Sequence, residues 1–483
     1  MEPVNVMVIG VGPHARRIYI PILKQLSQTM PVRLVAIVDL VSQAKSINQY
    51  LSEIDYSLET IYFDHFDGSA GLPDNCKTIL DNLIKKFNIQ GVIISTEAMA
   101  HKMYAEWALR RNLHILMDKP ISMRKSVSTE LDQAIALLDD YYDLLDLYKK
   151  QQRVKPTAFT INAQRRYEYG FEKVKELISE VRDRFNVPVT SIQAMHADGT
   201  WMFPMEILTQ KSHSHFDGYG KVAHSGFHIF DMVWQLYKAG LVDQKKPDAL
   251  EIISSPLLPS GLSINLSEYD YQNYFNTEYE STGLTENSYG IKVQNYGEID
   301  SFNIVRLLKG DKNICNISIN LLHSSFSRRA WATPNEDRYK GNGRIKHQQF
   351  IIQQGPFQSI QIHNYQSKSS HDTDNSNEFD VGGNNHFDIY IFRNSGMFKS
   401  NQPFTKISAK ELEDNKHSGR LINESAKERV IIEFINFMLG KINKNDLKSN
   451  IDTYAIPTKI MSGIYQSSAL LAKRQNPLIN ISL

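Results

Sequence analysis

The chain has 483 residues, enough to bury a large core and to form two domains. Its 54 basic and 53 acidic side chains nearly cancel, which argues against nucleic acid or an anionic membrane surface as a partner. Cys76 and Cys315 are the only cysteines and rule out a disulfide scaffold or a cysteine-rich zinc module; with no apolar run of bilayer length and no leader-like start, a soluble cytoplasmic protein is expected.

The first predicted element is a strand, "VNVMVI", apolar almost throughout, as a strand buried on both faces would be. "GVGPHARR" follows. Gly10 permits the tight turn and Gly12 lets a backbone approach a pyrophosphate. Ala15 stands where a third glycine is usual, and its methyl still allows close packing of helix on strand. Pro13 and His14 complete the first turn of a helix predicted over 13–27, with a kink at Pro21, and its N–H groups would face phosphates.

"VRLVAIVDL" is the second strand. Asp39 closes it, 24 residues past Ala15, the position of an acid that binds an adenosine ribose. A strand-end cap is the plainer alternative. A carboxylate there repels a 2′-phosphate and favours NAD; Arg16 and Arg17 nearby leave NADP open.

The alternation continues through the helix "CKTILDNLIKKF", the strand "GVIIST", the helix "HKMYAEWALRRN" and the strand "HILMDKP". Strands alternating with helices predict a parallel, doubly wound sheet, an α/β Rossmann domain over 1–123. Gly10, Asp39, Ser95, Thr96, Asp118 and Lys119 all fall at strand C-termini, where such sheets bind ligands.

Residues 124–483 are expected to form a second, α+β domain. A helix over about 124–149 leads to the strand "TAFTINAQRR", an amphipathic helix, the strand "VPVTSIQAMHA" and the helix "GFHIFDMVWQLYKAG". The strands "DALEIIS", "SFNIVRLLK", "NICNISINLLH", "HQQFIIQQ", "QSIQIHNY" and "HFDIYIF" then predict a large, mostly antiparallel sheet. Polar stretches at 267–290 and 367–385 read as lids, interface loops or surface. Two closing helices, about 424–440 and 453–474, are expected to pack back on the first domain.

"MDKPISM" (117–123) resembles the Gfo/Idh/MocA oxidoreductases, whose strand-end motif is Glu-Lys-Pro; here it is Asp118-Lys119-Pro120. "STEAMAHKMYAEWAL" resembles the family's Thr-Pro-Asn-x-x-His stretch, keeping Thr96 and His101. "DGYGKVAHSGFHIFDMVWQLYKAG" resembles its second signature through Gly220, Gly226, His228 and Asp231. The departure is His224, which stands where the family usually has Asp and puts oxidation of plain sugars or inositol in doubt.

The resemblance implies hydride transfer between a nicotinamide and a polar carbonyl, alcohol or imine of a small, sugar-like or acidic substrate. It implies catalytic roles for Lys119, His228 and His224, and cofactor contacts from His101, Thr96, Asp118, Lys119 and Pro120 besides the glycine turn. It also implies a homo-oligomer. Arg165 and Arg166, after a predicted strand, are candidate substrate clamps; Trp201, Tyr219 and Trp331 are candidate pocket aromatics. His213, His215, His224 and His228 lie within sixteen residues, but no carboxylate or cysteine completes a ligand set, so no metal is expected. Two alternatives stay open: a bound-NAD enzyme that oxidises transiently to drive elimination or glycoside cleavage, and a non-catalytic NAD-binding regulator.

Overall fold

A computed structural model describes residues 2–199, 204–210, 213–265, 267, 269–270, 273, 286–327, 344–368, 385–412 and 422–483. Trp201, Trp331 and most of the two long polar stretches lie outside these residues. The chain divides into two compact units, residues 1–123, 137–168 and 417–455 in the first and 124–136, 169–416 and 456–483 in the second.

The first unit is built on a six-stranded sheet of β1 (Val4–Ile9), β2 (Val32–Leu40), β3 (Glu59–Phe63), β4 (Ile89–Ile94), β5 (His114–Met117) and β6 (Phe159–Ile161). The order is β3-β2-β1-β4-β5-β6 and every pairing is parallel. This is the doubly wound order, with its switch point between β1 and β4, where ligands bind. Both central strands end in runs of fully buried apolar residues, because helices cover both faces.

The helices are α1 (Pro13–Arg17), α2 (Tyr19–Leu26), α3 (Ala44–Glu53), α4 (Asp74–Phe87), α5 (His101–Arg110) and, from residue 137 on, α6 (Leu131–Gln152). The single helix expected over 13–27 is two. It breaks at Ile18 (φ −115°, ψ −66°), three residues before the expected kink. The reason is steric. Pro21 would clash with the carbonyl of Arg17 in one continuous helix, whereas the break places it in the first turn of α2, where no N–H is needed.

Two further corrections concern the boundary. "TAFTINAQ" supplies β6 to the first sheet, pairing Phe159 with Ile115 and Ile161 with Met117, so it is not the opening strand of the second domain. Of the two closing helices, Ile422–Met438 belongs to the first unit and Ala455–Ala472 to the second. Ala426, Val430, Ile431, Phe434 and Ile435 bury one side of Ile422–Met438 in the core that holds Val6, Val8 and Leu34. Each large apolar side chain so buried contributes about 1.5–3 kcal/mol, which outweighs any local preference for where the helix goes.

The second unit carries a nine-stranded sheet. Its strands are β7 (Ser191–Ala197), β8 (Ala249–Leu257), β9 (Asp300–Lys309), β10 (Lys312–Leu322), β11 (Arg344–Gln354), β12 (Gln358–Lys368), β13 (Asn385–Arg393), β14 (Phe404–Ser408) and β15 (Ile479–Ser482). The order is β14-β13-β12-β11-β7-β10-β9-β8-β15, antiparallel except for β7 with β10. The strands alternate buried and open residues, as a sheet with one covered face requires. The helices Tyr169–Phe185 and Phe227–Ala239 also belong to this unit. Among the described residues no helix is long and apolar enough to cross a membrane.

Candidate functional site

In the first unit, β1 delivers the chain to Gly10 at φ +87°, a conformation open to glycine and strained for other residues. Gly10 also lies against β4: a Cβ there would stand 2.5 Å from the carbonyl oxygen of Ser95. Gly12 is the opposite case. Its backbone is extended (φ −69°, ψ −177°), and a Cβ on it would meet no heavy atom within 4 Å. One glycine is required by the protein itself; the other faces open space at the switch point of the sheet, which fits the close approach of a dinucleotide.

Asp39 braces this turn. Its Oδ2 accepts from the Val11 N–H at 2.6 Å and its Oδ1 from the Leu40 N–H at 2.6 Å. The strand-end cap and the ribose acceptor are therefore compatible, since each carboxylate oxygen keeps a lone pair. Arg16 is tied down: Nε donates to the Val11 carbonyl at 2.8 Å and Nη1 to the Ser46 hydroxyl at 2.7 Å. Arg17 is exposed. Ala15 is fully buried and packs in the core. Because α1 has only five residues, its dipole is short, and the cradle depends on the glycine backbone more than the sequence implied.

Asp118, at the end of β5, gathers its neighbours. Ser95 Oγ donates to its Oδ2 at 2.6 Å, Asn162 Nδ2 donates to its Oδ1 at 3.1 Å, and the Tyr19 hydroxyl donates to the same oxygen. Burial alone would raise this carboxyl, but His14 and these three donors leave it below the ordinary carboxylate range. His14 sits 3.7 Å from Asp118 and edge-on to Tyr19. Burial lowers its pKa to about 3, so the ring is neutral near physiological pH. His101 is buried between the carbonyl of Pro120, 2.7 Å from Nδ1, and that of Thr96, 3.1 Å from Nε2. It thereby ties the end of β4 to the Lys119–Pro120 peptide, which is cis. Lys119 is half-buried beside this network.

The sequence did not single out Tyr19 or Asn162. Asn162 follows β6 directly, and placing that strand in the first sheet would have found it by the same strand-end rule. Lys427, from the helix Ile422–Met438, was also missed. Burial, then the charges of Arg17 and Lys119, lower its pKa to about 8, against the pull of Asp118. Arg166 has a structural explanation. It is buried, its Nη1 donates to the Lys448 carbonyl at 2.6 Å and to Thr453 Oγ1 at 2.7 Å, and its guanidinium lies 4.0 Å over the Tyr454 ring. These contacts tie its side chain to neighbours within the first unit, and Arg165 beside it is buried too.

In the second unit, His224 lies in a π-turn, Val222–Gly226, and His228 in the first turn of the helix Phe227–Ala239 that follows. Turns of this kind are rare inside helices and recur at functional sites. The His224 ring stands edge-on to His213 (4.8 Å), His215 (5.5 Å) and Tyr219 (5.6 Å). Behind them a buried ion cluster, which the sequence did not show, centres on Asp198 at the end of β7. Lys221 Nζ is 2.5 Å from it, His323 Nδ1 3.4 Å, Arg344 Nη2 3.1 Å and His196 Nδ1 3.9 Å. Burial lowers Lys221 to about 8; Asp198, which burial would raise, is held well below its usual range by Lys221 and the other cations. Among the described residues no three His, Cys, Asp or Glu side chains are grouped to hold a metal ion.

A six-stranded Rossmann sheet with a glycine turn at its switch point, in one chain with a large antiparallel sheet, defines a dinucleotide-dependent oxidoreductase class. Residues 4–142 match the family model described as "Oxidoreductase family, NAD-binding Rossmann fold", that of Gfo/Idh/MocA. This module is similar to that of the Gfo/Idh/MocA family, whose members are NAD-binding oxidoreductases.

Similar solved structures cover nearly the whole chain. An oxidoreductase from Agrobacterium radiobacter, in complex with NAD+, L-tartaric acid and magnesium, is 10% identical over 99% of this chain and 98% of its own, with a TM-score of 0.57. Aldose–aldose oxidoreductase from Caulobacter crescentus is 12% identical over 100% of both chains, with a TM-score of 0.55. A putative myo-inositol dehydrogenase from Sinorhizobium meliloti is 13% identical over 99% of both chains, with a TM-score of 0.52. At these identities the likeness is one of fold. No curated protein sequence matches the chain.

Proposed function

We propose that the protein moves hydride between NAD and a polar C–O or C–N bond of a small, sugar-like or acidic substrate. In this reading Lys119 and His228 handle the proton and His224 selects the substrate. The observation that carries it is the open ground at Gly12, flanked by the Asp39 carboxylate at the switch point of the sheet. Bound there, a nicotinamide dinucleotide supplies the hydride acceptor or donor. Gly10, Gly12, Pro13, His14 and Ala15 would hold its phosphates, and Asp39 its ribose. Ser95, Thr96, His101, Asp118, Lys119 and Pro120 line the strand ends beside it. Lys119 exchanges a proton at Nζ, and a lysine beside a cationic ring loses its proton more readily than one in water. His228 exchanges one at its imidazole.

Titrating the protein with NADH and NADPH by fluorescence tests the cofactor. The Asp39 carboxylate would face the 2′-phosphate, so NADH should bind at least about tenfold more tightly, a difference of about 1.4 kcal/mol. Equal or tighter NADPH binding would show that Arg16, Arg17 or another cation controls this end of the site.

Substrate choice tests His224. An Asp there accepts hydrogen bonds from a hydroxyl, whereas a neutral imidazole donates one bond and accepts one. Wild-type protein should turn over glucose and myo-inositol weakly and acidic sugars better, and His224→Asp should shift kcat/KM toward the neutral polyols. Efficient wild-type oxidation of glucose or inositol overturns this assignment. Glycoside cleavage with no net change in nicotinamide absorbance would point to transient oxidation instead.

A further inference from the structure

Beside the turn that carries His224 and His228 lies a buried carboxyl with no assigned role. Glu298 stands two residues before β9 and is 1% exposed. Its Oε1 accepts from the Val222 N–H at 2.7 Å and from the Tyr465 hydroxyl at 3.3 Å. Its Oε2 lies 2.6 Å from Ser128 Oγ, and its main-chain carbonyl accepts from the Lys221 N–H at 3.1 Å. All these groups belong to the second unit. Val222 is the first residue of the π-turn.

The surrounding backbone is packed too closely for side chains. A Cβ on Gly220 would stand 1.9 Å from the Glu298 carbonyl oxygen, and one on Gly297 2.0 Å from the Tyr219 carbonyl carbon. The Gly297 N–H donates to the His215 carbonyl at 2.7 Å and closes the same seam. Residues 297–298 therefore hold the approach to the π-turn by main chain and side chain together.

The Ser128 contact bears on the form of the carboxyl. The Ser128 hydroxyl has one proton and two oxygens in reach, the Gly218 carbonyl at 2.9 Å and Glu298 Oε2 at 2.6 Å. Either the hydroxyl shares its proton between the two oxygens, or Glu298 carries a proton on Oε2 and donates to Ser128 while Ser128 donates to Gly218. Burial favours the second arrangement, raising this carboxyl above its usual range despite the donors around it. A neutral carboxyl that donates once from one oxygen and accepts at the other has the pattern of a glutamine amide.

We propose that Glu298 is a positioning residue: its carboxyl, with Ser128 and Tyr465, fixes the π-turn Val222–Gly226 and through it the rings of His224 and His228. This rests on the reading that those two histidines serve the reaction.

The test is NMR of the full chain labelled at the histidine ring carbons, with His224→Gln and His228→Gln to assign the signals. Glu298→Ala should displace the His224 and His228 signals and move the titration midpoint of at least one ring by about half a pH unit or more. The His114 signal, from the first unit, should stay in place. Glu298→Gln should restore the wild-type spectrum and midpoints. A folded Glu298→Ala with unchanged His224 and His228 signals overturns the proposal, as does a Gln variant that disturbs them as much as Ala. If Glu298→Ala does not fold, Tyr465→Phe removes one of its donors and should displace the same two signals by less; no displacement there also overturns it. The readout needs no substrate. Full turnover in His228→Ala would sink the acid–base reading while leaving the ring measurement intact, so the two failures are distinct.

Discussion

Lys119→Ala should lower turnover by about 100-fold or more, the usual cost of losing an acid–base group, while the melting temperature barely moves. The lysine is half-buried at the end of β5, outside the apolar core, so its removal leaves no large cavity. Its backbone is fixed by neighbours that the substitution does not touch. His101 bridges the carbonyls of Thr96 and Pro120, and Asp118 is gripped by Ser95, Tyr19 and Asn162. Steady-state rates on whichever neutral or acidic sugar the wild-type protein turns over best, beside thermal melts of both proteins, measure the two effects separately. Turnover within a few-fold of wild type would show that Lys119 is a surface residue before a proline turn. A large drop in melting temperature would show that it supports the fold instead.

Gly12→Leu should abolish dinucleotide binding without harming the protein. The Gly12 backbone is extended, which any residue adopts, and nothing in the protein lies within 4 Å of the added Cβ. The side chain would occupy the space assigned to the cofactor. The NADH dissociation constant should rise by at least about 100-fold, close to 2.7 kcal/mol. Gly10→Ala is the contrast. It adds a methyl at φ +87° and 2.5 Å from the Ser95 carbonyl, so it should cost stability by more than about 1 kcal/mol before any ligand is considered. Dye-monitored melting and NADH fluorescence on both variants separate the two roles. Normal NADH binding by Gly12→Leu would place the cofactor elsewhere and end the cradle assignment.

Much of this was legible in the sequence because it depends on neighbours a few residues apart. Burial on both faces marks β1, β2, β4 and β5, and alternation marks most strands of the second sheet, since side-chain direction is set by local backbone period. The rule that ligands meet strand C-termini brought Gly10, Asp39, Ser95 and Asp118 together before any coordinates. In the structure Val11 is bonded to Asp39, and Ser95 to Asp118.

What the sequence could not supply depends on segments far apart in the chain. It could not say that β6 joins the first sheet, because "TAFTINAQ" has the pattern of a strand in either domain and only pairing with β5 decides. It brought both closing helices back to the first domain but could not say that only Ile422–Met438 belongs to the first unit, a choice made by five buried side chains in a core begun some 400 residues earlier. It put the helix break at Pro21 rather than Ile18, because the clash falls one turn before the proline. It offered Arg166 as a clamp without showing its partners, the Lys448 carbonyl, Thr453 and the Tyr454 ring, because a free arginine and a tethered one read alike. The Asp198 cluster and the Glu298 clasp each join residues from four separate stretches of chain. Local period determined the elements of this protein and the strand ends where its candidate cofactor site lies; burial, through contacts across hundreds of residues, decided which side chains stand there.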